Sequence, residues 1–472
     1  MLFGFKRLAA AVALAVPLAV LAPVPGASAA PTMDRAVTFR GAGGLTLHGT
    51  VVAPRGSRTP TPGIVLVGGS GPGPRAEYRA EAAAFARAGI TTLVYDKRTA
   101  GYSTLHRDFG LLADDAAAGV AALRRVPGVD PDRVGLWGFS EGGWVAPLAA
   151  VRSGHVAFLV TLGAPGLSPL RTQTWYLTNL LRHNGISGSL VGAVAGPGAR
   201  LVGGAGLFPE ASYDPVPVLA RLRMPVLALW GDHDVQVPPA ESARILRRAL
   251  AADPSVTIRF VAGAAHNGRR TGDGFDRLGG PTVAGHPTGT LAPGYVPAMT
   301  SWVHRVVAGH PPVSSAQRFP AQAAASRSPG HHRYDDAPVQ VALIAVLVVA
   351  FAGSLVAGLA LRRRPLPVPA RRLSRWLAGC GLATVLGTLA FVLSVYVTGG
   401  AAAAPAVAGR AVPWLALQVL ALATAALTAS TAVVIVRGRA TVLGAQRIRL
   451  TVLVAAGVLV AVWSARWGLL TP

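Results

Sequence analysis

The sequence predicts an α/β domain with a mostly parallel sheet, followed by four helices that cross a membrane. Two observations predict the α/β domain. Short β-rich apolar runs recur through residues 36–309, and helical patterns of ten or more residues lie between several of them. A third observation predicts the membrane helices: four apolar stretches towards the C-terminus are each long enough to span a bilayer.

The composition favours a membrane-associated chain. Of the 472 residues, 51% are hydrophobic and only 14% are charged, whereas a soluble domain has about 25% charged residues. This hydrophobic content excludes a disordered chain. The single cysteine, Cys380, excludes an intramolecular disulfide framework and a Cys-rich zinc site.

Residues 1–29 have the pattern of a secretory signal peptide. Lys6 and Arg7 precede an apolar run at 8–22, and Ala-Ser-Ala at 27–29 is a typical cleavage site. The alternative is an uncleaved N-terminal anchor. The apolar run is short for that role, because crossing the hydrocarbon takes about 20 residues. The pattern therefore predicts export of the domain that follows.

Residues 30–309 form the predicted α/β domain. An opening pair, 36–40 and 45–52, predicts an antiparallel hairpin at the sheet edge. The further predicted strands are 64–67, 91–95, 133–137, 157–162, 225–230 and 256–261, and the predicted helices are 76–88, 111–125, 142–152 and 239–251. Residues 167–222 are too long for a simple crossover and include a helical stretch at 175–181, so we expect a small cap there.

Residues 310–337 are rich in Pro, Ala and Ser and predict a linker to the membrane domain, 338–472. The predicted spans are 338–361, 376–397, 412–436 and 450–470. Six arginines follow the first span and four follow the third, which places those two loops in the cytoplasm and the α/β domain outside. Both this arginine count and the signal peptide predict an outward-facing domain in the cell membrane.

The net charge of +24 has a position as well as a size. No acidic residue follows Asp336, whereas twelve arginines do. These arginines lie between apolar runs and are not interleaved with aromatic residues, so nucleic-acid binding is disfavoured. Because the spans contain no acidic residue, an ion or proton path is also disfavoured. Anchoring, or association with an unidentified protein partner, is the expected role of the spans.

Residues 138–142, Gly-Phe-Ser-Glu-Gly, fit the pattern G-x-S-x-G between a predicted strand and a predicted helix. Such a turn exposes the serine at the end of the sheet and lets the next backbone N–H bind a developing oxyanion. Ser140 is therefore the candidate nucleophile and Glu141 N–H a candidate oxyanion donor. The alternative is an ordinary turn in a Gly-rich chain.

A serine nucleophile needs a histidine base that is held by a carboxylate. Downstream of such a turn, the carboxylate is expected before the histidine. Asp234 follows the strand at 225–230 and His266 follows the strand at 256–261, so we predict a catalytic Ser140, His266 and Asp234. The competitors are Asp232 for the carboxylate, and His233 and His286 for the base.

The second oxyanion donor is expected from residues 68–73, Gly-Gly-Ser-Gly-Pro-Gly, here called the oxyanion loop. The Ser70 N–H is the predicted donor, with Gly69 as its neighbour. The alternative is a dinucleotide-binding loop, since the looser glycine pattern is present. Pro72 and Pro74 remove N–H donors that a pyrophosphate would need, and no Walker lysine follows.

Five stretches in order carry a family resemblance: VLVGGSGPGPR, YDKRTAGYS, GFSEGGWVAP, LWGDHDVQVPP and AGAAHN. Together they resemble the α/β-hydrolase superfamily, in particular bacterial serine carboxylesterase-like members. The resemblance covers about residues 36–309. It implies the α/β-hydrolase fold and the triad above. The chemistry of that triad leads us to expect a small-molecule acyl ester or lipid-like substrate, and it implies no metal or organic cofactor. Gly68 and Thr99 depart from the family pattern and alter the expected acyl pocket.

The sequence thus predicts an exported, membrane-anchored serine hydrolase that cleaves carboxylic ester or thioester bonds. One alternative is an acyltransferase or thioesterase acting on lipid-linked substrates. Another is a catalytically idle hydrolase-like module that senses or binds a partner.

The predicted orientation can be tested with alkaline phosphatase fusions, because this reporter is active only outside the cytoplasm. We expect activity for a fusion at Gly400, which lies between the second and third predicted spans. A fusion at Val368, in the first arginine-rich loop, should be inactive. Activity at Val368 would contradict the outward orientation of the α/β domain.

Overall fold

A nine-stranded sheet forms the centre of the α/β domain in this computed structural model, which describes residues 31–103, 105–283, 285–322, 324–327, 333–363, 366–438, 442 and 444–471. The predicted signal peptide lies outside the described residues. The strands of the sheet are β1 Thr32–Arg40, β2 Thr46–Pro54, β3 Thr61–Val67, β4 Thr91–Tyr95, β5 Val129–Phe139, β6 Leu159–Leu162, β7 Val226–Gly231, β8 Val256–Val261 and β11 Ser315–Ala316. Two further strands, β9 Thr282–Val283 and β10 His286–Pro287, form a separate hairpin.

The strand order is β1-β2-β4-β3-β5-β6-β7-β8-β11. β1 and β2 pair antiparallel, as do β2 and β4, and every other neighbouring pair in this sheet is parallel. The antiparallel edge hairpin and the mostly parallel sheet agree with the sequence prediction.

Helices cover both faces of the sheet. The helices of the domain are α1 Arg79–Arg87, α2 Phe109–Arg124, α3 Gly142–Ser153, α4 Pro169–His183, α5 Ser189–Ala193, α6 Ala199–Gly204, α7 Val216–Leu219, α8 Pro239–Ala249 and α9 Tyr295–Val307. Val65 belongs to an apolar cluster with residues of α2, α3 and α8, whereas its neighbour Ile64 belongs to a second cluster with residues of α1 and α9. Because successive strand residues point to opposite faces, burial of both faces explains the unbroken apolar runs. This is the α/β-hydrolase fold, and the predicted fold class is confirmed.

Two elements extend the domain beyond the prediction. Helix α9 was not expected from the sequence, and its Tyr295, Met299 and Val303 are buried against the sheet. Strand β11 lies in the predicted linker and pairs with β8, at the edge of the sheet. A strand at an edge has unpaired N–H and C=O groups, which a short added segment can satisfy.

Between β6 and β7, where the sequence predicts the cap, the structure has α4 to α7 and a π-helix at Val194–Gly198. One side of this region packs against the membrane domain. Leu177 and Leu181 of α4 belong to the same apolar cluster as Val392 and Trp414. The Tyr396 hydroxyl also donates a hydrogen bond of 2.7 Å to a backbone carbonyl of the π-helix.

The membrane domain consists of α10 Ala337–Ala360, α11 Val368–Val397, α12 Val412–Arg437 and α13 Gly444–Arg466. All four helices are long and apolar enough to cross a bilayer. Helix α11 begins before the predicted position of 376, so three arginines of the predicted loop lie in its first turns. Arginine is a good helix former, and Pro369 suits a first turn.

A buried ion pair attaches the β1–β2 turn to α2. Arg98 Nε donates to Asp115 Oδ2 at 2.6 Å, and Arg98 Nη2 donates to Asp115 Oδ1 at 2.8 Å. The side chains of both residues are at most 5% exposed. The backbone of Ala42, in the turn, donates to Asp115 Oδ1 at 2.8 Å and accepts from Arg98 Nη2 at 2.9 Å.

Arg98→Met should therefore destabilise the domain by about 3–5 kcal/mol, because it leaves a buried carboxylate without its cation. The matched control is Arg152→Met, since Arg152 pairs with Asp114 at 2.8 Å but both side chains are exposed. The control should cost about 0–1 kcal/mol. Thermal unfolding of the purified full chain measures both. Equal losses for the two variants would contradict a special role of the buried pair.

Candidate active site

Ser140 lies on a tight turn between β5 and α3. Its φ of 52° is in the left-handed region, and its N–H donates to Leu162 O at 3.0 Å. A Cβ on Gly138 would lie 2.2 Å from Gly142 O, and a Cβ on Gly142 would lie 2.3 Å from Val67 O. Side chains at both flanking positions would therefore collide with backbone. The two glycines of the motif are needed because α3 begins directly against the ends of β3 and β5.

His266 and Asp234 form a buried pair on neighbouring loops at the ends of β8 and β7. His266 Nδ1 lies 2.8 Å from Asp234 Oδ2, so an N–H at Nδ1 donates to the carboxylate. The other oxygen, Asp234 Oδ1, accepts from the backbone N–H groups of Gln236 and Val237, each at 2.9 Å. These contacts hold the carboxylate in one orientation. The structure thus brings together Asp234 and His266 of the predicted triad.

The competing residues lie elsewhere. Asp232 Oδ1 is 2.7 Å from His233 Nδ1 and also accepts from Ala264 N–H, so it organises the turn after β7. His286 is an exposed residue of β10. Neither Asp232 nor these two histidines lines the cavity that contains Ser140.

Ser140 and His266 line one cavity of about 220 Å³. The His266 ring packs on Phe139, with 5.0 Å between ring centroids. His266 Nε2 is buried and has no hydrogen-bond partner among the described residues. A histidine with Nδ1 bound to a carboxylate and Nε2 unoccupied has the arrangement required of a general base.

The oxyanion loop lies against the serine. A Cβ on Gly69 would be 3.3 Å from Ser140 Cβ. The Gly69 N–H is already engaged, because it donates to the Tyr78 hydroxyl at 2.8 Å. Neither the Ser70 N–H nor the Glu141 N–H donates to another described residue. Both predicted oxyanion donors are therefore without an acceptor among the described residues.

The side chain of Glu141 has a role that the sequence did not suggest. Its carboxylate is fully buried and accepts from Lys97 Nζ at 2.8 Å, from the Tyr102 hydroxyl at 2.9 Å and from Ser70 Oγ at 3.3 Å. Arg107 Nη1 lies 3.3 Å away as a second cation. Lys97 also donates to the Gly69 carbonyl. Glu141 therefore connects the serine turn to the oxyanion loop.

Burial lowers the pKa of the Lys97 ammonium, and the charge of Glu141 acts in the opposite direction. Burial also raises the pKa of the Tyr102 hydroxyl, and the Glu141 carboxylate adds to that effect. The hydroxyl accepts from Gly71 N–H at 2.9 Å while donating to Glu141. Lys97 and Tyr102 belong to the stretch YDKRTAGYS, and Lys97 is one of two lysines in the chain. The rarity of lysine in this sequence was the only local feature that could have pointed to this role of Lys97.

Helix α4 borders the cavity. Thr172, Gln173 and Tyr176 line the cavity together with Arg107 and Phe208. Among the residues that the structure describes, no group of three or more His, Cys, Asp or Glu side chains could hold a metal ion.

No protein-family model matches the chain. The chain is 32% identical to a thiohydrolase of Arthrinium phaeospermum over 134 residues, which are 28% of this chain and 43% of that protein. It is also 32% identical to a polyketide transferase of Penicillium crustosum over 138 residues, 27% of this chain and 43% of the relative. The chain thus spans less than half the length of these curated relatives.

Three solved structures are similar to the α/β domain. The structure of DcsB in complex with its substrate analogue is 20% identical, with a TM-score of 0.40, and covers 59% of this chain and 100% of that one. A dienelactone hydrolase from Anabaena variabilis is 19% identical, with a TM-score of 0.36 and coverages of 60% and 99%. The Pyrococcus furiosus esterase Pf2001 is 18% identical, with a TM-score of 0.36 and coverages of 50% and 84%.

Proposed function

We propose that this protein is a membrane-anchored serine hydrolase that cleaves carboxylic ester or thioester bonds. One observation carries the proposal. The 2.8 Å contact between His266 Nδ1 and Asp234 Oδ2 leaves His266 Nε2 unoccupied in the cavity that Ser140 lines. Nucleophile, base and orienting carboxylate then have the roles of a serine-hydrolase triad.

In the proposed reaction, Ser140 Oγ attacks the acyl carbonyl while His266 Nε2 takes the hydroxyl proton. The oxyanion of the tetrahedral intermediate accepts from the N–H groups of Glu141 and Ser70. The intermediate then breaks the bond to the leaving alcohol or thiol, which receives the proton from His266. Water attacks the acyl-enzyme through the same base and releases the carboxylic acid.

The two oxyanion donors and the Asp234 carboxylate contribute to the proposed catalysis in different ways. Loss of one oxyanion donor costs about 3 kcal/mol of transition-state stabilisation in serine hydrolases. Glu141 and Lys97 hold both N–H groups in place before substrate binds, so little reorganisation is needed during the reaction. Asp234 stabilises the imidazolium that forms on His266 and fixes its tautomer.

The proposed location is the cell membrane, with the hydrolase domain on the extracytoplasmic side. The length and apolar character of α10 to α13 support membrane insertion. The arginines that follow α10 and α12 support a cytoplasmic position for those helix ends. An even number of spans then returns the chain to the side of the hydrolase domain.

A second candidate is hydrolysis or transfer of the acyl group of a lipid-linked substrate. It is favoured by the position of α4, which lines the cavity with Gln173 and Tyr176 and packs Leu177 and Leu181 against the membrane domain. A substrate held in the membrane would therefore meet the cavity at α4. The relatives named thiohydrolase and polyketide transferase add support for thioester and transfer chemistry. An idle sensor module would not need this arrangement of Ser140, His266 and Asp234.

Ser140→Ala should abolish labelling by a fluorophosphonate and lower ester hydrolysis by about 10⁵–10⁶-fold, because the nucleophile is removed. The matched control is Ser153→Ala at the other end of α3, which should label at the wild-type rate. Gel fluorescence measures the labelling. Wild-type labelling of Ser140→Ala would refute the nucleophile, and absence of labelling in the wild type would favour the idle module. Product analysis with p-nitrophenyl esters of graded chain length and added alcohols distinguishes hydrolysis from transfer.

Asp234→Asn should lower kcat by about 10⁴-fold, because an amide N–H facing His266 Nδ1 would enforce the wrong tautomer. Asp232→Asn is the matched control and should lower kcat far less, since Asp232 contacts His233 instead. Steady-state hydrolysis of a short p-nitrophenyl ester measures both variants. The reverse ranking would assign the orienting carboxylate to Asp232.

A further inference from the structure

A cluster of four arginines surrounds a narrow cleft at one end of the membrane helices, where α10 ends and α11 and α13 begin. The cleft is lined by Arg362, Arg371, Arg375, Arg449, Ser374 and Gln446. We call it the arginine cleft. It lies at the end of the helix bundle opposite to Asp335, which pairs with Arg466 in the last turn of α13. Nothing in the proposed hydrolase reaction uses these residues.

Arg449 lies deepest in the arginine cleft. Its Nη1 donates to the Ser354 carbonyl at 3.0 Å, and its Nη2 donates to Ser374 Oγ at 3.1 Å. Its Nε is buried and has no hydrogen-bond partner among the described residues. The guanidinium passes directly over Gly358, where an added Cβ would lie 2.3 Å from Nη1. The absence of a side chain at Gly358 thus makes room for a cation between the helices.

Within the described residues, no carboxylate side chain balances this charge. No Asp or Glu follows Asp336 in the sequence, so none lies on α10, α11, α12 or α13. Among the described residues, none of the four cleft arginines lies within 4.0 Å of a carboxylate. Arg466, at the other end, does pair with a fully buried Asp335. A partly buried cation without a counter-charge is unfavourable, particularly next to lipid.

We propose that the arginine cleft binds the phosphate of an anionic phospholipid headgroup. A phosphate group offers oxygens that several guanidinium groups can contact at once. The planar guanidinium of arginine suits such contacts better than the ammonium group of lysine does. Basic pockets between membrane helices are suited to anionic headgroups. The proposal depends on membrane insertion of α10 to α13, but not on the hydrolase activity.

The surroundings of the cleft favour a lipid over a free phosphate ion. Trp376, next to Arg375, is 67% exposed, as expected of a side chain at a membrane–water interface. Val356 and Leu359, in the last turns of α10, are also largely exposed. A headgroup in the cleft would therefore have its acyl chains beside an apolar helix surface. A free phosphate would use only the arginines.

The test uses the full chain in detergent micelles, titrated separately with phosphatidylglycerol, phosphatidylcholine and inorganic phosphate. Native mass spectrometry measures bound lipid, and the thermal unfolding temperature Tm measures stabilisation. We expect phosphatidylglycerol to bind and raise Tm. The double variant Arg371→Gln, Arg375→Gln should weaken that binding by roughly tenfold or more, because two surface-accessible charges are removed. Arg449→Gln should weaken it at least as much.

The matched control is Arg447→Gln, because Arg447 is an exposed arginine of α13 outside the cleft. This control should leave phosphatidylglycerol binding within about twofold of the wild type. The double variant keeps the test informative if Arg449→Gln does not fold, since Arg371 and Arg375 are exposed. Equal losses in Arg447→Gln and the double variant would overturn the proposal in favour of general surface charge.

Two further outcomes would also overturn it. Equal binding of phosphatidylcholine would remove the requirement for an anionic lipid. Binding of inorganic phosphate with the same dependence on Arg371 and Arg375, without preference for phosphatidylglycerol, would assign the cleft to a free anion. Ester hydrolysis by the same samples reports independently on the hydrolase domain.

Discussion

The close contact between the first turn of α3 and the ends of β3 and β5 is the constraint on which the candidate site depends. Only glycine fits at 138 and 142, because a Cβ at either position would meet backbone atoms at 2.2–2.3 Å. The chain must therefore turn within Ser140, whose φ is 52°. The same contact buries the Glu141 carboxylate beneath the oxyanion loop, where it binds Lys97 at 2.8 Å. Backbone packing thus determines both where Ser140, the candidate nucleophile, lies and which groups hold the proposed oxyanion donors.

Buried charge organises both halves of the molecule. Examples in which at least one partner is buried are Lys97 with Glu141, Arg98 with Asp115, Asp234 with His266, Arg269 with Glu81, and Arg466 with Asp335. Each pair joins segments that are distant along the chain, so each one helps to define how the elements pack. A buried charge is tolerated only when it is paired and hydrogen-bonded. Arg449 has hydrogen bonds but no carboxylate partner within the described part of the chain, which is why the arginine cleft differs from the other sites.

Helix α4 links the proposed chemistry to the membrane domain. One side of α4 lines the cavity, and Leu177 and Leu181 enter the apolar cluster formed with α11 and α12. The π-helix that follows accepts a hydrogen bond from Tyr396, and Trp414 Nε1 donates to Ser189 Oγ at 3.0 Å. The cavity and the membrane helices therefore share one structural element, and a change in their packing would reach α4 directly.

Local patterns in the sequence were sufficient to predict those strands and turns that depend only on neighbouring residues. The strand predicted at 256–261 is β8, and the G-x-S-x-G spacing requires a strand-to-helix turn at Ser140. Hydrophobic period and glycine geometry act over a few residues, so they can be read without the fold. The sequence favoured Asp234 over Asp232 as the partner of His266, although both are aspartates on the same loop. Tertiary structure decided their contacts, because Asp234 binds His266 whereas Asp232 binds His233. It also decided that Glu141 binds Lys97, 44 residues away, and that α9 covers the sheet. Such contacts depend on how elements that are distant in sequence pack together, and local hydrophobic periodicity does not predict that packing.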